Sequence, residues 1–325
     1  MTEIASYRRR VARVWSAVGL GGACLLAGCS VLWPPPASTN ANTAPVGAAS
    51  PVNTMPNSES ANRSSADPMP FYEALTASLN ERGQALASVC DKNNPVAKRV
   101  LEDYGAMFVA GAQVTAPPVC VFTSEEQVAQ FQATAGATAQ NFGGVNIELQ
   151  AAAMKALLEA RRDAQGQGLN ITPRGGEAAR RSFADTARLW ESRFTPALAH
   201  WQQQGKLTAA KAGELRQAPL MEQVAGVLEL ENKGLWFSKD FSKSIFYSVA
   251  APGTSQHLSM LALDVTEFGN PRVRATLAQY GWFQTVQSDL PHFTYLGLNE
   301  TELPSRGLAA VKSGGQTFWI PNVKQ

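Results

Sequence analysis

Two of the three histidines in this 325-residue chain lie close in sequence to carboxylates, in a pattern that could bind a metal ion. His257 precedes Asp264 by seven residues, and His292 follows Asp289 by three. Two imidazoles and one carboxylate suffice to hold catalytic zinc, because they leave a fourth coordination position open. A single His-to-Asp spacing also occurs by chance, so on spacing alone a structural role for His257 remains open.

Hydrolysis at such a site needs a further group to move protons. Zinc lowers the pKa of water from about 16 to about 7, and a second carboxylate must then take the proton and pass it to the leaving amine. Asp289 is the candidate because it stands three residues before a proposed ligand. The pattern therefore predicts one zinc ion per chain, bound by His257, Asp264 and His292, with Asp289 as general base and acid.

The segments around both histidines resemble the motifs of the zinc D-alanyl-D-alanine carboxypeptidase family, the VanY-like group related to bacterial and phage L-alanyl-D-glutamate endopeptidases. The first segment follows the family's Ser-x-His-x6-Asp pattern. Its shared residues are Pro252, Gly253, Ser255, His257, Ala262 and Asp264. The second, 289–295, has a carboxylate three residues before the last histidine and an aromatic residue after it. The resemblance covers roughly residues 146–300 and implies zinc chemistry on peptidoglycan stem peptides.

The same resemblance implies an arginine at the site. In the family, a helix, a short strand and a turn bearing an arginine precede a further helix, and 151–164, 169–172 and Arg174 follow this order. Arg174 would then bind a substrate carbonyl oxygen or carboxylate, since a fixed guanidinium suits developing negative charge. A solvated turn arginine is the alternative, and Arg180 or Arg181 could take the role instead.

Some positions depart from the family pattern. Met260 stands where the family usually has glycine, so the backbone or the pocket there is expected to differ. Asp289 replaces a common glutamate, and Pro291 replaces a tryptophan, which is nearer to the endopeptidase branch. We expect Ser255 to support the ligands by hydrogen bonding. His200, which has no motif around it, is interpreted as a structural or surface residue.

Helices and strands must position these residues. Apolar spacing predicts helices over 71–89, 96–109, 146–165, 177–190, 214–228 and 271–280, and one starting at Glu125 behind a Thr123 or Ser124 cap. Short strands are predicted over 119–122, 169–172, 244–250, 261–266 and 282–286. The mixture predicts an α+β fold: a small antiparallel sheet flanked by helices around a zinc cleft, with an N-terminal, mainly helical elaboration.

The N-terminus predicts export. Four arginines between Arg8 and Arg13 precede an apolar run that ends in Leu-Ala-Gly-Cys29, which resembles a bacterial lipobox. Residues 1–28 are predicted to be a lipoprotein signal peptide, Cys29 the lipidated residue and 29–70 a disordered tether. An uncleaved apolar anchor is the alternative. The remaining chain divides into an N-terminal helical elaboration (71–145) and a peptidase domain with a C-terminal tail (146–325).

The cysteines and the net charge indicate the compartment of the protein and the class of its partners. Cys90 and Cys120 remain after processing, and an oxidising compartment favours a disulfide between them, with two buried thiols as the alternative. Loss of four Arg and one Glu from 28 basic and 26 acidic residues leaves 24 and 25. This near-neutral domain predicts no nucleic-acid partner. The family resemblance implies a peptidoglycan peptide as substrate. The lipobox predicts attachment to the cell envelope through the lipid, on the periplasmic side or cell surface.

Three functions stay open at this point. The leading prediction is a zinc D-alanyl-D-alanine carboxypeptidase acting on stem peptides. The alternatives are an endopeptidase of the same fold and a lipoprotein that binds wall peptide without cleaving it.

Overall fold

The computed structural model describes residues 68–323. The predicted signal peptide, Cys29 and all but the last three residues of the predicted tether lie outside the described residues. No helix within 68–323 is long and apolar enough to cross a membrane.

Nine α-helices and seven β-strands lie between residues 68 and 323. The helices are α1 (Phe71–Glu81), α2 (Leu86–Val89), α3 (Pro95–Tyr104), α4 (Glu125–Ala135), α5 (Ala151–Gly166), α6 (Phe183–Gln203), α7 (Ala209–Gln217), α8 (Leu220–Glu231) and α9 (Pro271–Gln279). The strands are β1 (Ala137–Phe142), β2 (Val145–Gln150), β3 (Ala262–Asp264), β4 (Trp282–Phe283), β5 (His292–Tyr295), β6 (Leu308–Ser313) and β7 (Gln316–Pro321).

The strands form two hairpins and a three-stranded sheet. β1 pairs with β2 and β6 with β7, whereas the third sheet has the order β3-β5-β4, and all pairs are antiparallel. Helices with small antiparallel sheets confirm the predicted α+β class. In the three-stranded sheet Asp264 lies directly opposite His292, so strand pairing brings two of the predicted ligands together.

Several helices begin where a polar side chain caps free backbone N–H groups. Asn94 accepts hydrogen bonds from the first turn of α3, and Ser124 caps α4, which confirms the predicted helix start at Glu125. Ser182 and Asp185 form a reciprocal capping box at the start of α6. This cap fixes where the long helix leaves the segment that contacts Asp264.

The predicted helices over 146–165 and 177–190 start too early. Residues 145–150 form β2, because Gly143 and Gly144 at φ 62° and 99° make a two-residue hairpin turn. Residues 177–182 are not helical, since the Asp264 N–H donates to the Ala178 carbonyl at 2.7 Å. Pairing with the backbone of β3 has displaced local helical preference there.

Other predicted elements are shorter or absent. The helix predicted over 71–89 is divided into α1 and α2, and that over 96–109 becomes α3 followed by a 3-10 turn (Gly105–Val109). Neither 119–122 nor 169–172 forms a strand. The residue after the second segment, Pro173, forms an isolated antiparallel bridge with Val265. The strand predicted over 244–250 is instead a 3-10 turn, Ile245–Tyr247.

Two main apolar clusters stabilise the structure. The first joins Phe71 of α1 and Phe108 to Trp282 and Phe293 of the three-stranded sheet, all at most 1% exposed. The second surrounds Trp190 of α6. Each such side chain contributes about 1.5–3 kcal/mol on burial. Residues on both sides of the predicted 145/146 boundary share the first cluster, and the boundary falls within the β1–β2 hairpin.

A disulfide joins Cys90, which follows α2, to Cys120. The Cys120 N–H also donates to the Val89 carbonyl at 2.9 Å. These bonds fix the segment 119–122 beside α2. Two residues further on, the Phe122 N–H donates to the Gly253 carbonyl at 2.9 Å, so the same segment supports the first histidine motif.

Candidate metal centre

The loop that carries His257 is held tightly on both sides. The Gly253 N–H donates to Thr186 Oγ1 of α6 at 3.1 Å. Gly253 has φ +77°, and a Cβ there would lie 1.9 Å from the Phe122 carbonyl oxygen, so only glycine fits. Ser255 then caps a 3-10 turn (Gln256–Ser259), and its hydroxyl accepts the His257 N–H at 3.4 Å.

Met260 ends this 3-10 turn in a left-handed conformation, with φ 57° and ψ 28°. This is the backbone conformation that glycine adopts most easily. Its side chain is nonetheless fully buried in the core. Met260 therefore occupies a glycine-type backbone conformation, and its side chain packs inward.

His257 is buried, and its Nδ1 lies 2.6 Å from the Ala179 carbonyl oxygen. A carbonyl can only accept, so Nδ1 carries the hydrogen and Nε2 presents a lone pair. Nε2 lies 3.4 Å from Asp264 Oδ1 and has no hydrogen-bond partner among residues 68–323. Burial lowers the pKa of His257, which favours the neutral imidazole that metals bind.

His292 is oriented by a second arrangement of the same kind. Its Nε2 lies 2.7 Å from Gln256 Oε1, so Nε2–H donates and Nδ1 presents the lone pair, 3.4 Å from Asp264 Oδ1. Gln256 is fixed in turn, because its amide donates to the Tyr104 carbonyl at 2.8 Å and its oxygen accepts from Thr294 Oγ1 at 2.5 Å. The amide and carbonyl ends of Gln256 are therefore assigned by their partners.

Asp264 completes the group. Its Oδ2 accepts a hydrogen bond from Arg181 Nη2 at 2.8 Å, while Oδ1 is buried without a partner among the described residues. Burial raises the pKa of this carboxyl, but the neighbouring His257 and His292 outweigh that effect and hold the pKa below its usual value. Asp264 is therefore a carboxylate with one oxygen free for a cation.

The potential ligand atoms of His257, Asp264 and His292 lie within 4.8 Å of one another. In each residue the other polar atom of the side chain is already bonded to Ala179, Arg181 or Gln256. Unpartnered buried lone pairs are costly unless something binds them. Two neutral imidazoles and a carboxylate fit zinc in type and number, and leave room for water or substrate.

An open cleft of about 250 Å³ is lined by His257, His292 and Arg181. One group of its lining residues, Thr186, Leu189 and Arg193, lies on α6. Other lining residues, at 246–250, 286 and 288, precede the two motifs, and Asp289 is the first residue of the second motif. Tyr247 is half exposed in this lining.

Asp289 lines the cleft together with both histidine ligands. Its side chain is exposed, and its carboxylate forms no hydrogen bond or ion pair with any of residues 68–323. The Asp289 carbonyl accepts the His292 N–H at 3.2 Å. The backbone therefore fixes the candidate base beside a ligand while its carboxylate remains free to exchange protons.

The structure does not bring Arg174 into this cleft. Its backbone N–H donates to the Asp264 carbonyl at 2.8 Å, but its guanidinium lies outside, 5.9 Å from the centre of the Phe268 ring. Arg180 also points elsewhere and pairs with Glu148. Arg181, the other alternative considered from the sequence, lines the cleft, and so does Arg193.

His200 lies apart from the metal ligands, in agreement with its interpretation as structural. Its ring stacks on Phe241 at 4.2 Å, with only 12° between the planes. Sequence reasoning missed Gln256 and Tyr104 as supports of His292. Gln256 lies inside the recognised motif and could have been considered, whereas Tyr104 ends α3 and carries no local motif.

No protein-family model and no curated protein sequence matches this chain. Among solved structures, it matches a mutant of the vancomycin-resistance D,D-pentapeptidase VanY from a VanB-type resistance cassette, in complex with Zn(II). Identity is 15%, the TM-score is 0.31, and the match covers 54% of this chain and 85% of the other. The assignment of the metal centre therefore rests on the geometry of this chain's own residues.

Proposed function

We propose that this chain is a zinc-dependent D-alanyl-D-alanine carboxypeptidase that acts on peptidoglycan stem peptides. The observation that carries the proposal is the convergence of three ligand atoms whose neighbouring polar atoms are all bonded elsewhere, and two of them, His257 Nε2 and Asp264 Oδ1, are buried without a hydrogen-bond partner among the described residues. The position of the unpaired Asp289 carboxylate in the adjoining cleft favours catalysis over a purely structural metal.

The proposed roles follow from these positions. His257 Nε2, Asp264 Oδ1 and His292 Nδ1 would hold the zinc ion. When bound, zinc would supply Lewis acidity to polarise a peptide carbonyl and to acidify water. Asp289 would accept a proton on its carboxylate and return it to the leaving amine. Arg181 positions Asp264 through its bond to Oδ2.

The substrate class is supported by the two sequence motifs. Both segments that supply the ligands resemble those of peptidases that cleave peptidoglycan peptides, and an open cleft of about 250 Å³ lies beside them. Lipidation at Cys29 would keep the enzyme at the cell envelope, beside this substrate. The sequence Asp289-Leu290-Pro291-His292 is nearer to that of the endopeptidase branch, and it therefore also supports the second candidate, an endopeptidase that cuts within the stem.

Metal analysis of the purified protein tests the centre. We expect about one zinc per chain in the wild type and almost none after His257→Ala. His200→Ala is the matched control because it removes a histidine outside the centre, and it should retain the metal. A wild type that binds no zinc when zinc is supplied would refute the proposal.

Digestion of purified muropeptides, followed by mass analysis, tests the reaction. Loss of a single terminal alanine identifies the carboxypeptidase, and two internal fragments identify the endopeptidase. Asp289→Asn should reduce kcat by about 100-fold or more while zinc stays bound, because general acid–base catalysis contributes factors of this size. Unchanged muropeptides after incubation with the zinc-loaded protein would refute both the carboxypeptidase and the endopeptidase.

A further inference from the structure

Arg193 is the cleft arginine that has no acidic partner among residues 68–323. It lies on α6 and lines the same cleft as the metal ligands. Its Nε is buried and has no hydrogen-bond partner among residues 68–323. Nη1 bonds only to the adjacent Ser192, at its carbonyl (3.3 Å) and hydroxyl (2.9 Å), and no carboxylate of the described residues lies within ion-pairing distance.

The second cleft arginine is already engaged. Arg181 donates to Asp264 Oδ2 at 2.8 Å, and this ion pair is part of the metal centre. Asp289 shares the cleft lining with Arg193, yet the two form no ion pair. The positive charge of Arg193 is therefore available to a ligand, and guanidinium groups bind carboxylates through paired hydrogen bonds.

The position of Arg193 along α6 sets its distance from the reacting bond. Thr186, at the end of the helix near the metal centre, binds the Gly253 N–H of the first motif. Arg193 comes seven residues later, which corresponds to about 10 Å along a helix axis. An extended peptide advances about 3.3 Å per residue, so this separation corresponds to about three residues, and less when the long side chain reaches back.

Resting on the proposed function, we infer that Arg193 binds a carboxylate of the substrate within about three residues of the scissile bond. Thr186, Leu189 and Arg193 recur at helical spacing and form one wall of an extended peptide-binding cleft. The group recognised is either a free α-carboxylate within the stem or the terminal carboxylate of the peptide. Arg193 is thus a specificity-determining residue, separate from the metal ligands and from Asp289.

Binding and hydrolysis of matched synthetic stem peptides test this inference. One peptide carries all its carboxylates free, a second has the internal carboxylates amidated, and a third has an amidated C-terminus. We expect the wild type to bind one of the amidated peptides at least about tenfold more weakly than the free peptide. The peptide that loses affinity identifies which carboxylate Arg193 contacts.

Arg193→Gln should remove this preference, because it keeps a polar side chain but not the charge. Arg193→Lys should retain part of it. The matched control is Arg188→Gln on the same helix, since Arg188 pairs with Glu177 and Asp185 and does not line the cleft. Zinc content and the circular dichroism spectrum should be unchanged in all three variants.

The outcomes separate this inference from the proposed function. Hydrolysis without any carboxylate preference, or a preference that survives Arg193→Gln, would overturn the role of Arg193 while the peptidase assignment stands. A preference that requires Arg193, without hydrolysis of any peptide, would support the inference and overturn the enzymatic proposal. No binding of any of the three peptides would overturn the inference.

Discussion

At the scale of single residues, the metal centre depends on which nitrogen of each imidazole carries the hydrogen. His257 uses Nδ1 and His292 uses Nε2 to donate to fixed oxygens, so opposite ring nitrogens present their lone pairs. The oxygens belong to the Ala179 backbone and the Gln256 amide. Such supporting hydrogen bonds typically change metal affinity by 10- to 100-fold.

Gln256→Leu should therefore weaken zinc binding about 10- to 100-fold without removing a ligand. The substitution leaves the buried His292 Nε2–H without its acceptor and frees the ring to rotate. Competition titration against a chromophoric zinc chelator measures the affinity. Gln223→Leu is the matched control, because Gln223 is equally buried but accepts from Trp190 in the second core. Equal zinc affinities in the two variants would contradict the role of Gln256.

Gly253 gives a steric test of the motif loop. In Gly253→Ala the Cβ would lie 1.9 Å from the Phe122 carbonyl oxygen at φ +77°, so the backbone must move. We expect a loss of about 2–4 kcal/mol in the free energy of unfolding, from left-handed strain and overpacking together.

Urea denaturation compares this variant with Gly83→Ala. Gly83 has a similar φ of +70° but nothing within 4 Å of an added Cβ, so only the conformational cost of about 1 kcal/mol applies. Equal losses in the two variants would show that the contact with Phe122 does not constrain the loop. The Gly253 variant should also lose zinc affinity, since the loop carries His257.

At the scale of elements, the sequence predicted which three side chains converge, but it did not predict part of their support. His257, Asp264 and His292 lie in two short segments whose residue types carry the information. Arg181 stood only as an alternative to Arg174, because 177–182 resembles the start of a helix. In the structure that segment pairs with β3, and long-range pairing of this kind leaves no periodic pattern in the sequence.

Both unpredicted hairpins had a recognisable turn. Gly143-Gly144 and Gly314-Gly315 connect β1 to β2 and β6 to β7, and all four glycines have positive φ. Two consecutive glycines between alternating residues favour a two-residue hairpin turn. The Ala-rich sequence after Gln150 instead extended the predicted helix backwards into β2. The contribution of Tyr104 to the site, by contrast, depends on a contact 152 residues apart.

The end of α8 organises the segment that leads to the cleft. Glu231 is buried, and its Oε1 accepts the N–H groups of Ile245 at 2.7 Å and Phe237 at 3.3 Å. Burial raises the pKa of this carboxyl, and the hydrogen bonds only partly offset the effect. When the pKa of a carboxyl is higher in the folded than in the unfolded state, ionisation of that carboxyl lowers the free energy of unfolding.

The free energy of unfolding of Glu231→Gln should therefore increase relative to that of the wild type as the pH rises. Glutamine keeps an acceptor for both N–H groups but cannot ionise, so the wild type alone loses stability as the pH passes upward from 4.5 through the raised pKa. Urea denaturation at pH 4 and pH 7 measures the difference, with Glu229→Gln on the exposed face of α8 as the control. A stability difference that is independent of pH would contradict the prediction.

At the scale of the whole described region, residues 68–323, the metal centre lies where the two apolar cores approach each other. β3 and β5, which carry Asp264 and His292, have side chains in the first core, whereas α6 and the 245–251 segment pack in the second. Arg181 and Thr186 connect the start of α6 to the metal-binding segments. A bound ion should therefore stabilise elements from both cores.

Chelation of zinc should lower the melting temperature of the wild type by roughly 8–16 °C. A ligand at about 1,000 times its Kd stabilises the folded state by about 4 kcal/mol, and each kcal/mol shifts Tm by about 2–4 °C in a protein of this size. His257→Ala should melt near the chelated wild type and respond little to chelator, whereas His200→Ala should respond as the wild type does. Differential scanning calorimetry distinguishes these cases. A zinc-loaded wild type whose Tm is unchanged by complete removal of the metal would show that the ion does not join the two cores.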